Sequence, residues 1–221
     1  MTMFAFRART RHMPAMLRRT LLLLVLALPL QANAAFAPTP QDRADLARIE
    51  TYLNGLTTLH GRFLQVAPDG GVSGGQAWLV RPGRLRFEYD PPAPFLLVAS
   101  RGQLVFQDSS IKQQSQAPLS TTPLGMLLSE RVSLSGDITV TDVRHLPGEI
   151  DVSLVRTASP GDGTLTLVFA DKPLTLRQWT VLDAQRKETR VTLFDTVLGG
   201  SFDPKLFEAP AMESRPTGGG G

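Results

Sequence analysis

Apolar residues recur along this chain in two rhythms, one helical and one of period two. Leu46, Ile49, Leu53 and Leu56 stand three or four positions apart with Tyr52 beside them, while Asp42, Arg43, Asp45 and Arg48 lie largely off that stripe. The spacing predicts an amphipathic helix over residues 41–57. Thr39-Pro40-Gln41-Asp42 marks its start: a side-chain cap, a proline in the first turn and an acid where the helix dipole favours one. Gly55 stands near its end as a terminator.

After the helix the period shortens. Residues 60–66 and 75–81 read as strands, separated by the turn Pro68-Asp69-Gly70-Gly71. Then Leu85, Phe87 and Tyr89 alternate with Arg84, Arg86 and Glu88, which predicts a strand with one dry and one solvated face. Residues 95–99 and 103–107 form a hairpin around Arg101-Gly102, and the polar stretch 108–118 is expected to be a loop. Thr121-Thr122-Pro123 opens a short, almost wholly apolar helix over Leu124–Leu128. Strands resume over 138–145, 149–157, 164–170, 174–182 and 188–194, and 203–207 reads as a last helical turn. About ten short strands with one or two helices predict an antiparallel sheet long enough to curl, its concave face plugged or covered by helices.

The N-terminus changes the compartment. Residues 1–20 carry Arg7, Arg9, Arg11, Arg18 and Arg19 and no acid; Leu21–Leu30 is apolar except for Pro29; Ala32-Asn33-Ala34 follows. A basic region, a short apolar run and an A-x-A site predict a cleavable secretory signal over 1–34. The run is shorter than the ~20 residues a membrane-spanning helix needs. Residues 35–212 are then expected to form one domain and 213–221 a disordered tail.

Losing the leader also reverses the charge. The chain holds 23 Lys+Arg and 20 Asp+Glu; without the five leader arginines, 18 bases face 20 acids. The basic isoelectric point of 9.7 therefore belongs largely to the leader and is no sign of nucleic-acid binding. The absence of cysteine excludes disulfides, thiolate catalysis and a lipid-modified N-terminal Cys.

Catalytic and metal-binding patterns are lacking. His60 and His145 fall in separate predicted strands, outside any metal-ligand spacing. Gly70–Gly75 has no Lys-Ser/Thr and no following helix, so it reads as a hairpin loop rather than a phosphate cradle. The sequence offers instead two apolar surfaces: the face of Leu85, Phe87 and Tyr89, and the Leu124–Leu128 helix. That helix either plugs an ordinary core or covers an apolar cavity and moves, and periodicity favours the core.

Several pieces occur together in an order that resembles the periplasmic lipoprotein carrier family of LolA type. They are Phe63-Leu64-Gln65, a glycine-rich turn, the run from Gly75 to Tyr89 containing Arg81-Pro82-Gly83, Pro91-Pro92, and Thr122 to Leu128. The resemblance covers residues 41–208. It implies a mainly β fold: an incomplete, unclosed antiparallel β-barrel with an N-terminal amphipathic helix and short lid helices over an apolar cavity. It also implies a non-enzymatic periplasmic carrier with no cofactor and no metal. Its partners would be triacylated lipoproteins, an inner-membrane ABC-type lipoprotein transporter and an outer-membrane acceptor, and it would be a monomer. The resemblance places the cargo cavity at Leu79, Leu85, Phe87, Tyr89 and Leu97, and the lid at Leu124, Met126, Leu127 and Leu128. Arg81 takes the position of the arginine that latches the lid; its strand parity with Ala77 and Leu79 agrees with an inward side chain.

Three other readings remain at this stage. One is a carrier of another lipid or glycolipid on the same fold. Another is a periplasmic hydrolase of a lipid-like substrate, for which Ser133 and His145 are candidates without a supporting motif. The third is a structural module whose apolar faces are only core.

Overall fold

The computed structural model describes residues 36–210. The expected leader, and the expected tail from residue 213 onward, lie outside them. The first element is α1 (Pro40–Gly55). Thr39 caps it: the Asp42 amide donates to Thr39 Oγ1 at 3.1 Å, and the Thr39 amide donates to Asp42 Oδ2 at 2.7 Å. Ile49 and Leu53 on its apolar stripe are fully buried.

The acids beside that stripe are not in water, contrary to the simple amphipathic reading. Asp42 and Asp45 are buried, because a strand edge 100 residues away packs onto this half of the helix. His145 Nε2 lies 3.0 Å from Asp45 Oδ2, and Arg48 and Gln41 donate to the same carboxylate. Burial alone would raise the pKa of Asp45; the hydrogen bonds from Gln41, His145 and Arg48 together outweigh it and hold the carboxyl below the ordinary aspartate value. A depressed value in the folded state contributes stability above the unfolded pKa, and this is lost as pH falls through the folded one. Asp45→Asn should therefore destabilise the protein at neutral pH and flatten its loss of stability below about pH 4. Denaturant melts at a series of pH values check this; parallel curves for the two proteins would refute it.

Eleven antiparallel strands follow, among the described residues: β1 (Thr58–Val66), β2 (Val72–Val80), β3 (Arg84–Tyr89), β4 (Phe95–Ser100), β5 (Gln103–Asp108), β6 (Gln113–Pro118), β7 (Ile138–Leu146), β8 (Glu149–Arg156), β9 (Gly163–Ala170), β10 (Thr175–Asp183) and β11 (Glu188–Leu198). They form one sheet in the order β6-β5-β4-β3-β2-β1-β11-β10-β9-β8-β7. The sheet curls, bringing Phe87 of β3 within 5.9 Å of Trp179 of β10, while its two edges, β6 and β7, do not pair, which leaves the barrel unclosed. The chain between these edges, residues 119–137, contains a 3-10 turn (Leu119–Thr121) and α2 (Leu124–Leu127).

β6 corrects the sequence reading, which made 108–118 a loop. Its residues, QQSQAP, show no apolar alternation, yet they pair with β5 in unbroken register from Gln103↔Pro118 to Asp108↔Gln113. The neighbouring strand supplies the ladder that local sequence does not announce. β11 also runs four residues beyond expectation, because a bulge between His60 and Arg62 of β1 lets pairing continue to Leu198.

The inward face carries the core. Phe63 stacks on Phe87 with centroids 4.4 Å apart and meets Tyr89 edge-on at 5.0 Å. Gly75 makes room for this group, since a Cβ there would lie 2.7 Å from the Phe63 ring and 2.1 Å from the Glu88 carbonyl oxygen. The outward face of β3 is drier than its alternation suggests. A 3-10 turn over Pro204–Phe207 packs on it, burying Phe207 under the Arg84 guanidinium (5.6 Å) and accepting a hydrogen bond from Arg86 through the Leu206 carbonyl at 3.2 Å.

Candidate functional site

An apolar cavity of about 190 Å³ lies on the concave face, beneath the segment that joins the two sheet edges. Phe87, Leu97 and Leu104 form one wall, Trp179, Val181 and Val191 the opposite one, and Thr122, Pro123 and Leu124 the roof. The strands supply these side chains by parity: Phe87 faces Leu97 across β3–β4, and Trp179 faces Val191 across β10–β11. Only Gln65, Thr122 and Thr189 add polar groups to the lining.

Of the five residues expected in the cavity, Phe87 and Leu97 line it. Leu79, Leu85 and Tyr89 share the inward face but are packed in the core around it. The Tyr89 hydroxyl donates to Gln65 Oε1 at 2.8 Å, and burial pushes its pKa up to about 12, so it stays a neutral donor. Trp179, Val181 and Val191 were not singled out from sequence, although their period-two spacing in β10 and β11 was visible there.

The lid residues are buried as a group. Leu124 touches the cavity, and Met126, Leu127 and Leu128 continue from it into the core. Gly125 allows this close approach, because a Cβ at that position would stand 2.2 Å from the Leu119 carbonyl oxygen.

Arg81 is 9% exposed and lies among backbone carbonyls. Its Nε and Nη2 donate to the Ser129 carbonyl at 3.1 and 2.7 Å, Nη2 also reaches Glu130 O at 3.3 Å, and Nη1 donates to Leu53 O of α1. One guanidinium thus ties the chain leaving α2 to the C-terminal end of α1, where the Leu53 carbonyl otherwise accepts only a long bond of 3.3 Å from the Leu56 amide. Among the described residues no carboxylate pairs with it, and burial holds its pKa below the ordinary arginine value.

Further ties escaped the sequence reading. Arg156, at the end of β8, donates to Thr122 O at 2.9 Å on the other side of the lid. Asn54 of α1 exchanges hydrogen bonds with the Val132 backbone at 2.8 and 3.0 Å, and Glu50 accepts from the Leu134 amide at 3.0 Å. Their signal in sequence is only a polar residue on an otherwise apolar element. Ser133 and His145, the candidates for hydrolysis, are not brought together: Ser133 pairs with Ser135 at 3.1 Å, while His145 faces Asp45 and Asp42.

A cavity near 190 Å³ is small. An engineered cavity of about 150 Å³ in another protein takes up benzene. A space of this size has room for a ring or a few methylenes between its walls and not for a long acyl chain.

An unclosed antiparallel barrel with an apolar cavity beneath a short helical segment has the form of a container. Comparison with known proteins narrows the class. Residues 54–210 match the family described as "Outer membrane lipoprotein carrier protein LolA", and the chain belongs to that family. It is 29% identical over 179 residues to an outer-membrane lipoprotein carrier protein of Methylococcus capsulatus, covering 77% of this chain and 83% of that one. With the protein of the same description from Pseudomonas aeruginosa it shares 27% over 197 residues, covering 84% and 91%. A solved LolA superfamily protein from Nitrosomonas europaea superposes with a TM-score of 0.42 at 11% identity, over 74% of this chain and 97% of that one. Membership gives the chain the role of a lipoprotein carrier, in a family of non-enzymatic carriers that work in the periplasm.

Proposed function

We propose that this protein receives triacylated lipoproteins from an ABC-type transporter in the inner membrane, shields their acyl chains in the periplasm and passes them to an acceptor at the outer membrane. Residues 1–34 serve as the export signal, removed near Ala34, and residues 35–212 form the carrier domain. The observation that carries this reading is an apolar cavity roofed by a segment held through its backbone carbonyls, by Arg156 at Thr122 and by Arg81 at Ser129. Each methylene kept from water contributes about 0.8 kcal/mol, so acyl chains cannot cross an aqueous space unshielded. No bond is made or broken in the transfer; the carrier needs only a cavity that opens.

Leu124, Met126, Leu127 and Leu128 fill the empty state and swing out on loading, exposing Phe87, Leu97 and the inward face behind them. Leu79, Leu85 and Tyr89 then become the floor of the enlarged cavity. Arg81 latches the lid in the empty state.

The cavity holds its own reporter. Trp179 lines it, and the other tryptophan, Trp78, stacks on His60 on the outward face at 5.1 Å. In a Trp78→Phe variant, triacylated lipoprotein with brominated acyl chains should quench the remaining fluorescence, while the unbrominated form should not. Absence of quenching would reject the cavity as the acyl site. Quenching by brominated phospholipid but not by the lipoprotein would keep the container and reject this cargo.

A further inference from the structure

The two edges of the sheet are built differently. β7 is blunted in three ways. A bulge interrupts it between Val140 and Asp142, Asp142 and Arg144 place charges on it, and His145 joins it to the carboxylates of α1. Bulges, charges and covering elements are the usual means of stopping an edge from pairing with another chain. Among the described residues, β6 has none of them. Its ladder to β5 is regular, its sequence QQSQAP carries no charge, and its one proline stands at the last position. Gln113, Ser115 and Gln116 are exposed. The Gln114 side-chain oxygen is buried with no hydrogen-bond partner among the described residues.

Its position is as informative as its composition. Leu104, which lines the cavity, pairs directly with Ala117 of β6, and Phe106, a partly exposed apolar side chain of the same inward face, pairs with Ser115. The roof residues Thr122–Leu124 follow β6 after one short turn. When the lid lifts, the cavity opens alongside this edge. A lipoprotein whose acyl chains enter there brings its own polypeptide, joined to the lipid, to the same place.

Resting on the carrier reading above, we propose that the extended peptide following the lipidated cysteine of the cargo adds to β6 as a further antiparallel or parallel strand. Recognition by main-chain hydrogen bonds is indifferent to side-chain sequence, and an uncharged edge adds no charge preference. That suits a carrier whose cargoes share a lipid anchor and differ in sequence. Tethering by the acyl chains raises the effective concentration of the peptide at the edge, so weak pairing is enough. A strand added there sets its side chains beside Ser115, the small partner of Phe106 on the inward face, and in the row of Gln114 on the other.

Amide hydrogen exchange of the full-length mature protein tests this with two ligands. One is a triacylated lipoprotein, and the other is a triacylated cysteine amide with no following residues. Quenching of Trp179 by the brominated-acyl form of each ligand, in the Trp78→Phe variant, reports cavity filling. With both ligands filling the cavity, the amides of residues 113–117 that face the free edge should slow at least about fivefold with the lipoprotein and not with the cysteine amide. Equal protection by both, protection by neither, or protection at β7 instead of β6 overturns the inference while leaving the cavity reading intact. Protection that rises with protein concentration in the absence of ligand assigns the edge to a second copy of this chain and also overturns it. A Trp179 signal that responds to neither ligand overturns the cavity reading, and this inference with it.

Discussion

Arg81→Leu will release the lid without unfolding the barrel. The guanidinium serves the carbonyls of Leu53, Ser129 and Glu130, and leucine leaves all three without that donor. Hydrogen bonds to a charged group contribute about 1.5–3 kcal/mol each, so the closed state should lose at least about tenfold in its equilibrium with the open one. The ladder of β2 with β1 and β3 ends at Val80 and is untouched. Because the chain has no cysteine, Met126→Cys places a single thiol on the lid. Met126 is 4% exposed, so a thiol reagent reaches that position only when the lid lifts. The labelling rate should rise at least about tenfold when Arg81→Leu is added, with the melting transition still cooperative. An unchanged rate in a folded protein would remove Arg81 from the latch.

Arg81 also shows how far the sequence could be read. Its inward direction followed from parity with Ala77 and Leu79, and both of those residues are buried. What it bonds did not follow, because backbone carbonyls carry no sequence signature. The same holds for Arg156, Asn54 and Glu50, which fix the lid through main-chain groups of Thr122, Val132 and Leu134. Strands with an apolar face, such as β3, were legible from alternation. β6 was not, since its strand state depends on β5 and its polar composition reflects a position beyond the core. Asp45 and His145 illustrate a third kind of gap. Each looked like an ordinary polar residue on its own element, and only the curl of the sheet brings the β7 edge onto α1.

The walls of the cavity divide in the same way. Phe87 and Leu97 came from the strand that alternates most clearly and from its partner. Trp179, Val181 and Val191 belong to strands that were recognised, but one-dimensional alternation says which face a residue takes and not how far along the barrel it sits. That coordinate comes from register: Gln65 pairs with Val191, and Val191 with Trp179, which sets all three at the same level of the barrel.

Gly125→Ala separates the packing of the lid from the charge that holds it. A methyl at this position would stand 2.2 Å from the Leu119 carbonyl oxygen and 3.2 Å from Nη2 of Arg156. The oxygen is not free to retreat. It accepts from the Thr122 amide at 3.1 Å and from Thr122 Oγ1 at 2.8 Å, while the Leu119 amide is anchored to Gly102 O at 2.8 Å. The cheaper response is for α2 to move away, with Arg81 unaltered. The lid then stops competing for the space it fills. Each buried apolar side chain contributes about 1.5–3 kcal/mol, so losing even one of the four from the closed state should tighten acyl binding at least about tenfold. Titration of brominated triacylated lipoprotein against Trp179 fluorescence measures this in the Trp78→Phe background. Release to an acceptor should slow in proportion, because a carrier that binds more tightly gives up its cargo less readily. Unchanged or weaker binding would show that the lid forms part of the loaded cavity's wall rather than a competitor for its interior, and that the balance between holding and releasing cargo is set elsewhere in the barrel.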